Sequence, residues 1–382
     1  MVAAFCARIA QADEKFKGLQ ACSFFVKGVS LTQPCALVVY ANDRIGSDMP
    51  FDILVPGLLD APPSIQIGVA APALATLLAR ATTQIDNSAC MEYWFAKRVG
   101  RSDDGATFPF AAFALLGEKS DETPDGYWMR VDPVHFSINR GHVVLLDASQ
   151  LEITSDEAQA LVTTLNSHFA NDRLHFVAPH PHRWYMRCDQ PVALRTNSPT
   201  LTFGKNIADF WFDGPDREIW QTRQSEMQML LHADAINDAR ETAGTLAVNG
   251  VWLWGAGVLP PRPPAHYAHI VGDDPLTKGI AIWINIRHSN TESFNWDNAF
   301  PGVENNTLVL LDALIESAAY GDWETWQTTL GALERTWFLP ALTNLKAGTL
   351  DCVSIIIPHA QHGKRFTTKR ADLLKFWRRY QA

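Results

Sequence analysis

A chain of 382 residues, 47% hydrophobic and 19% charged, is long enough for two domains or one large domain with an insertion, and has the composition of an ordinary folded protein. Its formal net charge of −9 argues against general nucleic-acid binding, which needs a basic face. The exception runs from Gln361 to Ala382, where Lys364, Arg365, Lys369, Arg370, Lys375, Arg378 and Arg379 face the single acid Asp372. That segment reads as a solvated helix end complementing its own dipole, with a docking patch for an acidic partner as the other reading. Cys6, Cys22, Cys35, Cys90, Cys188 and Cys352 are scattered without a CxxC pair, which fits reduced thiols better than a disulfide framework or a zinc site. No apolar run reaches the length of a membrane span, and the start lacks the pattern of a signal peptide, so the cytoplasm is the expected compartment.

Residues 1–48 show little periodicity and read as an extension of uncertain status. A strand is expected from Pro50 to Gly57, then a helix from Ala71 to Ala81 with proline near its first turn, where a missing N–H costs nothing. Trp128–Phe136 and Val143–Asp147 read as neighbouring strands about a turn at Asn139-Arg140-Gly141. Thr154, with Glu157 three residues on, starts a helix reaching Phe169. Leu174–Ala178 and Trp184–Arg187 are further strands, and Ile219–His232 is a helix by pattern. Gly279–Ile286, Thr307–Asp312 and Cys352–Ile357 read as strands, with a long helix from Trp323 to Leu339. Continuous apolar strands alternating with helices predict an α/β fold with a mostly parallel central sheet flanked by helices. The pattern divides into a core of residues 49–126 and 201–382 and an inserted smaller α+β domain at 127–200.

The densest signal is the run from Val248 to Gly257, containing Asn249, Trp252, Trp254, Gly255 and Gly257. It reads as a buried strand whose glycines allow a tight exit, or allow a backbone N–H to approach an anion. The run resembles the Asn-x-x-Trp-x-Trp-Gly-x-Gly segment of cofactor-independent phosphoglycerate mutases, in the alkaline phosphatase superfamily. It looks closer still to the RpfE-type regulatory proteins related to them. The resemblance implies an alkaline phosphatase-like core with an inserted substrate-covering domain, spanning roughly Phe51 to Arg379.

Mutases of that family hold a nucleophilic serine and the transferred phosphoryl group with two manganese- or zinc-like ions on Asp and His ligands. Several matching positions here lack a ligand. The first-strand Asp-Gly is Pro56-Gly57, the Ile-Glu-x-x-Asp helix pattern is Leu333-Glu334-Arg335-Thr336 without its aspartate, and Asp-His-Gly is Pro358-His359-Ala360. Tyr320-Gly321-Asp322-Trp323 is the nearest remnant of Asp-Glu-x-Gly-His. Ser88 is the candidate for the nucleophile position. His180-x-His182, His266-x-x-His269 and His359-x-x-His362 lack a third ligand at set spacing, so no metal is assigned and no cofactor is expected unless the site is rearranged.

The polar residues resembling the substrate side are kept: Arg130, Asp132, His135, Arg183, Arg187, His232, Asn237, Arg240 and Asn249, beside Trp252, Trp254, Gly255 and Gly257. Guanidinium forks suit phosphate and carboxylate, and Arg–Asp pairing between layers is the bland reading of the same residues. Together these features point to a divergent mutase-like protein that has lost two-metal phosphotransfer and binds a small phosphorylated or carboxylated metabolite or a protein partner. An active mutase or phosphatase with rearranged ligands and a ligand-free interaction scaffold are the alternatives.

Overall fold

Strands buried on both faces send alternate side chains into different apolar layers, and two sheets share one of those layers. A computed structural model describes residues 50–62, 65, 70–99, 108–139, 142–146, 148–203, 205–262, 265–296, 306–375 and 377–378. The extension at 1–48 with its three cysteines, the turn residues Arg140 and Gly141, and Arg379 lie outside the described residues.

The first sheet has seven strands in the order β2 (Thr82–Ile85), β12 (Lys364–Lys369), β11 (Cys352–Ile357), β1 (Pro50–Leu54), β10 (Thr307–Leu310), β8 (His269–Val271) and β9 (Arg287–Ser289). The five strands from β11 to β9 are mutually parallel, and β12 and β2 add antiparallel pairings at one edge. Phe51, Ile53 and Val55 point into one apolar layer with α1 (Pro72–Arg80), α8 (Trp323–Leu333) and α9 (Leu339–Ala347). Leu54, Leu308 and Ile356 point into the other, with α2 (Met91–Val99), α3 (Phe110–Gly117) and α7 (Pro275–Ile284). A mostly parallel sheet covered on both faces is the predicted α/β class. No helix is long and apolar enough to cross a membrane among the described residues.

The second sheet runs β4 (His142–Leu146), β3 (Tyr127–Asn139), β6 (Arg183–Cys188) and β5 (Leu174–His180), with β7 (Gly250–Gly257) also pairing antiparallel to β3. Its outer face (Met129, Val131, Trp184, Met186, Leu253) packs on α4 (Ser155–Phe169) and α5 (Arg217–His232). The expected cap of α4 is present: Thr154 Oγ1 accepts the Glu157 N–H, and the Glu157 carboxylate accepts the Thr154 N–H at 2.8 Å. A short helix α6 (Ala235–Thr242) and then β7 follow α5, so this sheet draws on residues well beyond position 200. The tryptophan strand, assigned from sequence to the core segment, therefore belongs to the second sheet, because Trp252 and Trp254 fill the inner layer against β3.

Three further segments differ from the sequence reading. Gly279–Ile286 is not a strand, since Pro275–Ile284 is helical: Asp274 accepts the Leu276 N–H at 2.7 Å as N-cap, and Pro275 takes the first position. A buried apolar run does not by itself separate strand from helix. The helix crosses α3 at backbone distance, a Cβ at Gly279 falling 1.7 Å from the Phe113 carbonyl oxygen and one at Gly117 1.9 Å from that of Pro275. The helix expected to stop at Leu339 runs on to Ala347 through a π turn at Glu334–Phe338. Pro340 has no N–H for the Thr336 carbonyl, which accepts Trp296 Nε1–H at 3.0 Å instead. Finally, the basic C-terminal stretch is helical only in a short 3-10 turn at Arg370–Leu374. Lys364–Lys369 is strand β12, with Arg365 Nη2 2.6 Å from both oxygens of the fully buried Asp52.

Candidate functional site

The period of two along β3 puts Arg130 and Asp132 on the face turned toward the first sheet, and their β7 partners Trp254 and Trp252 join them there. Arg130 donates through Nε and Nη2 to Asp132 Oδ1 at 2.9 and 2.6 Å, and Trp254 Nε1 donates to Asp132 Oδ2 at 2.6 Å. The guanidinium lies over the Tyr185 and Trp254 rings, 4.9 and 5.3 Å from their centroids. Burial disfavours its charge, but the Asp132 carboxylate outweighs burial and holds its pKa above the ordinary arginine value.

One strand away, Arg183 forks onto Glu118 just past α3, with Nε to Oε1 at 2.6 Å and Nη2 to Oε2 at 3.2 Å. Burial pushes Glu118 up, yet the Arg183 bond and charge prevail and leave it below the usual glutamate value. Tyr185 donates to the same Glu118 Oε1 at 3.0 Å.

These groups border a cavity of about 370 Å³ between the two sheets. From the second sheet it is walled by Arg130, Asp132, Trp254, His182 and Arg183; from the first by Asp274 after β8 and Asp312 after β10; and Met91, Glu92, Phe110 and Ala114 also line it. Its aspartates follow the carboxyl ends of parallel strands, the usual ligand crevice of open α/β sheets. Asp312 is pushed up to about 7, by burial first and by the nearby Asp274 charge second. Burial also raises Asp274 and Glu92, the latter accepting from Ser198 Oγ at 2.7 Å and Thr200 Oγ1 at 3.0 Å.

A second cavity of about 370 Å³ shares Met91, Thr200 and Phe203 with the first and lies past the ends of β1 and β11, at Pro56, Gly57, Asp60, Cys90 and His359. His359 Nδ1 accepts the N–H groups of Gln361 and His362, so its proton sits on Nε2, 3.3 Å from Asp60 Oδ1. Ser88 is 3% exposed, its carbonyl accepts the His359 N–H at 3.1 Å, and its Oγ finds no hydrogen-bond partner among the described residues.

The structure thus brings Arg130, Asp132, Arg183 and Trp254 together at one cavity and places the other candidates elsewhere. Asn237 pins α6 to the entrance of β7, bonding Leu231 O, Val248 O and Val248 N. Arg240 is buried on Leu246 O, Leu151 O and Glu157. Asn249 bonds both backbone groups of Phe136, and His135 Nδ1 lies 2.8 Å from Ala247 O. His232 is exposed beside a shallow depression that Asn249 also lines, and Arg187 is exposed near Gly126. Trp252 Nε1 donates to Asn197 O at 2.8 Å. The left-handed φ of 65° at Gly255 and the missing side chain at Gly257 are used for close packing: a Cβ would stand 2.9 Å from Phe110 Cβ and 2.7 Å from Pro109 Cβ, respectively.

Glu118, Asp274, Asp312 and Glu92 were not singled out from sequence. Asp274 was findable, because an aspartate directly before a proline is a helix-start signal. Asp312 was findable as the acid ending an apolar strand. Nothing local marks Glu118, whose partner is 65 residues away.

No family model matches this chain. The 2,3-bisphosphoglycerate-independent phosphoglycerate mutase of Methanosarcina barkeri (strain Fusaro / DSM 804) is 24% identical over 149 residues, 37% of this chain and 37% of that protein. That of Methanosarcina mazei is 25% identical over 171 residues, 42% of this chain and 43% of the relative. The chain therefore matches under half the length of these curated relatives. Among solved structures, the cofactor-independent phosphoglycerate mutase from Thermoplasma acidophilum DSM 1728 is similar with a TM-score of 0.40 at 14% identity, covering 84% of this chain and 89% of that one. The PH0037 protein from Pyrococcus horikoshii gives 0.49 at 15% identity, covering 84% and 87%. The relationship to cofactor-independent phosphoglycerate mutases is weak and partial.

Two divalent ions, which the resemblance implies for a working mutase, need converging Asp and His donors. Pro56 and Pro358 supply no side-chain donor at the ends of β1 and β11, and among the described residues no group of three or more His, Cys, Asp or Glu is placed to hold a metal. The described donor set does not fit a two-ion centre.

Proposed function

We propose that this chain is a phosphoglycerate mutase-like protein that has lost metal-dependent phosphoryl transfer and binds a small phosphorylated or carboxylated metabolite in the cavity between its sheets. It then acts as a cytoplasmic binding or regulatory protein, a reading that rests on the resemblance of the tryptophan segment to RpfE-type proteins. The observation that carries this reading is the contrast between two places. The strand ends where ligands are expected hold prolines, while the adjoining cavity keeps an arginine fork from the second sheet. A two-metal site without its carboxylates cannot balance the charge of two divalent cations.

The test is metal content of the purified chain by mass spectrometry, with phosphoglycerate turnover assayed in added manganese. We expect neither stoichiometric metal nor turnover. Stoichiometric metal with turnover would establish an active mutase with rearranged ligands and end this reading.

A further inference from the structure

The charges around the cavity do not cancel evenly. Each arginine is matched by its own acid, Arg130 by Asp132 and Arg183 by Glu118. Glu92 is satisfied by the hydroxyls of Ser198 and Thr200. Asp274 and Asp312 form no salt bridge among the described residues: Asp274 Oδ1 accepts the Leu276 N–H as a helix cap, and the charges of Arg130 and Arg183 reach Asp274 only from beyond ion-pair distance. Burial first and the Asp274 charge second push Asp312 up to about 7, a shift that a cation placed beside it would reverse. On the Arg183 side, Nε and Nη2 serve Glu118 and Nη1 takes no part in that pair.

We infer that the cavity takes a small molecule bearing an ammonium group and an acid group, the ammonium at the Asp274 and Asp312 carboxylates and the acid on the Nη1 edge of Arg183. The inference rests on the reading of this cavity as a ligand site and narrows its ligand class. A simple anion would meet two arginines already matched by acids and, above about pH 7, an ionised Asp312 as well. An ammonium group supplies the missing counter-charge and donates charge-assisted hydrogen bonds to both carboxylates. The volume of about 370 Å³ suits a metabolite of amino-acid size, not a cofactor.

O-phospho-L-serine and 3-phosphoglycerate share one carbon skeleton and differ by an ammonium in place of a hydroxyl. Calorimetric titration of the full chain with each separates the ideas. We expect phosphoserine to bind at least about tenfold more tightly, the scale of a hydrogen bond to a charged group. Asp312→Asn and Asp274→Asn should each shrink that preference, and the asparagine at 274 keeps the helix cap, so a loss there is not unfolding. Equal or tighter binding of 3-phosphoglycerate overturns the ammonium assignment but leaves the cavity as a ligand site. Absence of binding by both overturns the cavity reading as well.

Discussion

Glu334 shows how one side chain can hold two distant segments. Helix α1 begins at Pro72 behind Ala71, which has no side chain to cap it. Its first free N–H groups, on Ala73 and Leu74, donate instead to the buried Glu334 carboxylate at 2.6 and 3.1 Å, from the π turn more than 250 residues later. A carboxylate at a helix N-terminus meets both the unpaired donors and the positive end of the dipole. Glu334→Ala should cost about 1–3 kcal/mol in urea unfolding, the penalty for orphaned buried donors, and Glu334→Gln should recover part of it. An unchanged midpoint for the alanine variant would show that α1 needs no such cap. In sequence this residue stood out only for its resemblance to a metal-site pattern, and its structural task is invisible there because its partners are tertiary. The same limit applies at the cavity. Arg130, Arg183 and Trp254 could be named from the chain, whereas Glu118, which decides what Arg183 can still bind, could not.

Among the elements, α3 and α7 explain both a misreading and the cavity floor. Gly279-Ile280-Ala281-Ile282 has the apolar continuity of a buried strand, and only the Asp274-Pro275 start marks it as a helix. Helix α3 is buried along nearly its whole length between the sheets, and the crossing of the two helices lets Phe110 and Ala114 reach the cavity. The Gly279→Ala variant places a methyl group inside contact distance of the Phe113 carbonyl, so the helices must separate. Overpacking of this kind costs about 1–3 kcal/mol, and a thermal melt should show a lowered midpoint. Gly244, with nothing within 4 Å of its Cβ position, offers a control for the crowding, though not for its own positive φ of 76°. Strands β1, β10 and β11 were legible because they are short and mostly apolar, with Asp52 and Ser354 as single polar interruptions. The membership of β7 was not, because an apolar strand does not announce which sheet it joins.

At the scale of the molecule, the parallel sheet delivers the ends of its strands to one edge, and the second sheet lays a polar inner face over them. The class of fold was readable from the alternation of strands and helices; the pairing of layers that makes the cavity was not, since it depends on which face each strand buries. Pro56 and Pro358 stand where the resemblance implies metal ligands, beside a space bordered by Arg183, Asp274 and Asp312. On the proposed reading, this space binds its ligand with no help from a metal. Titrating the chelator-treated protein with O-phospho-L-serine, with and without added manganese, tests it most directly. Binding that is saturable in the chelator and unchanged by manganese is the predicted result, and binding that appears only when manganese is restored would contradict it.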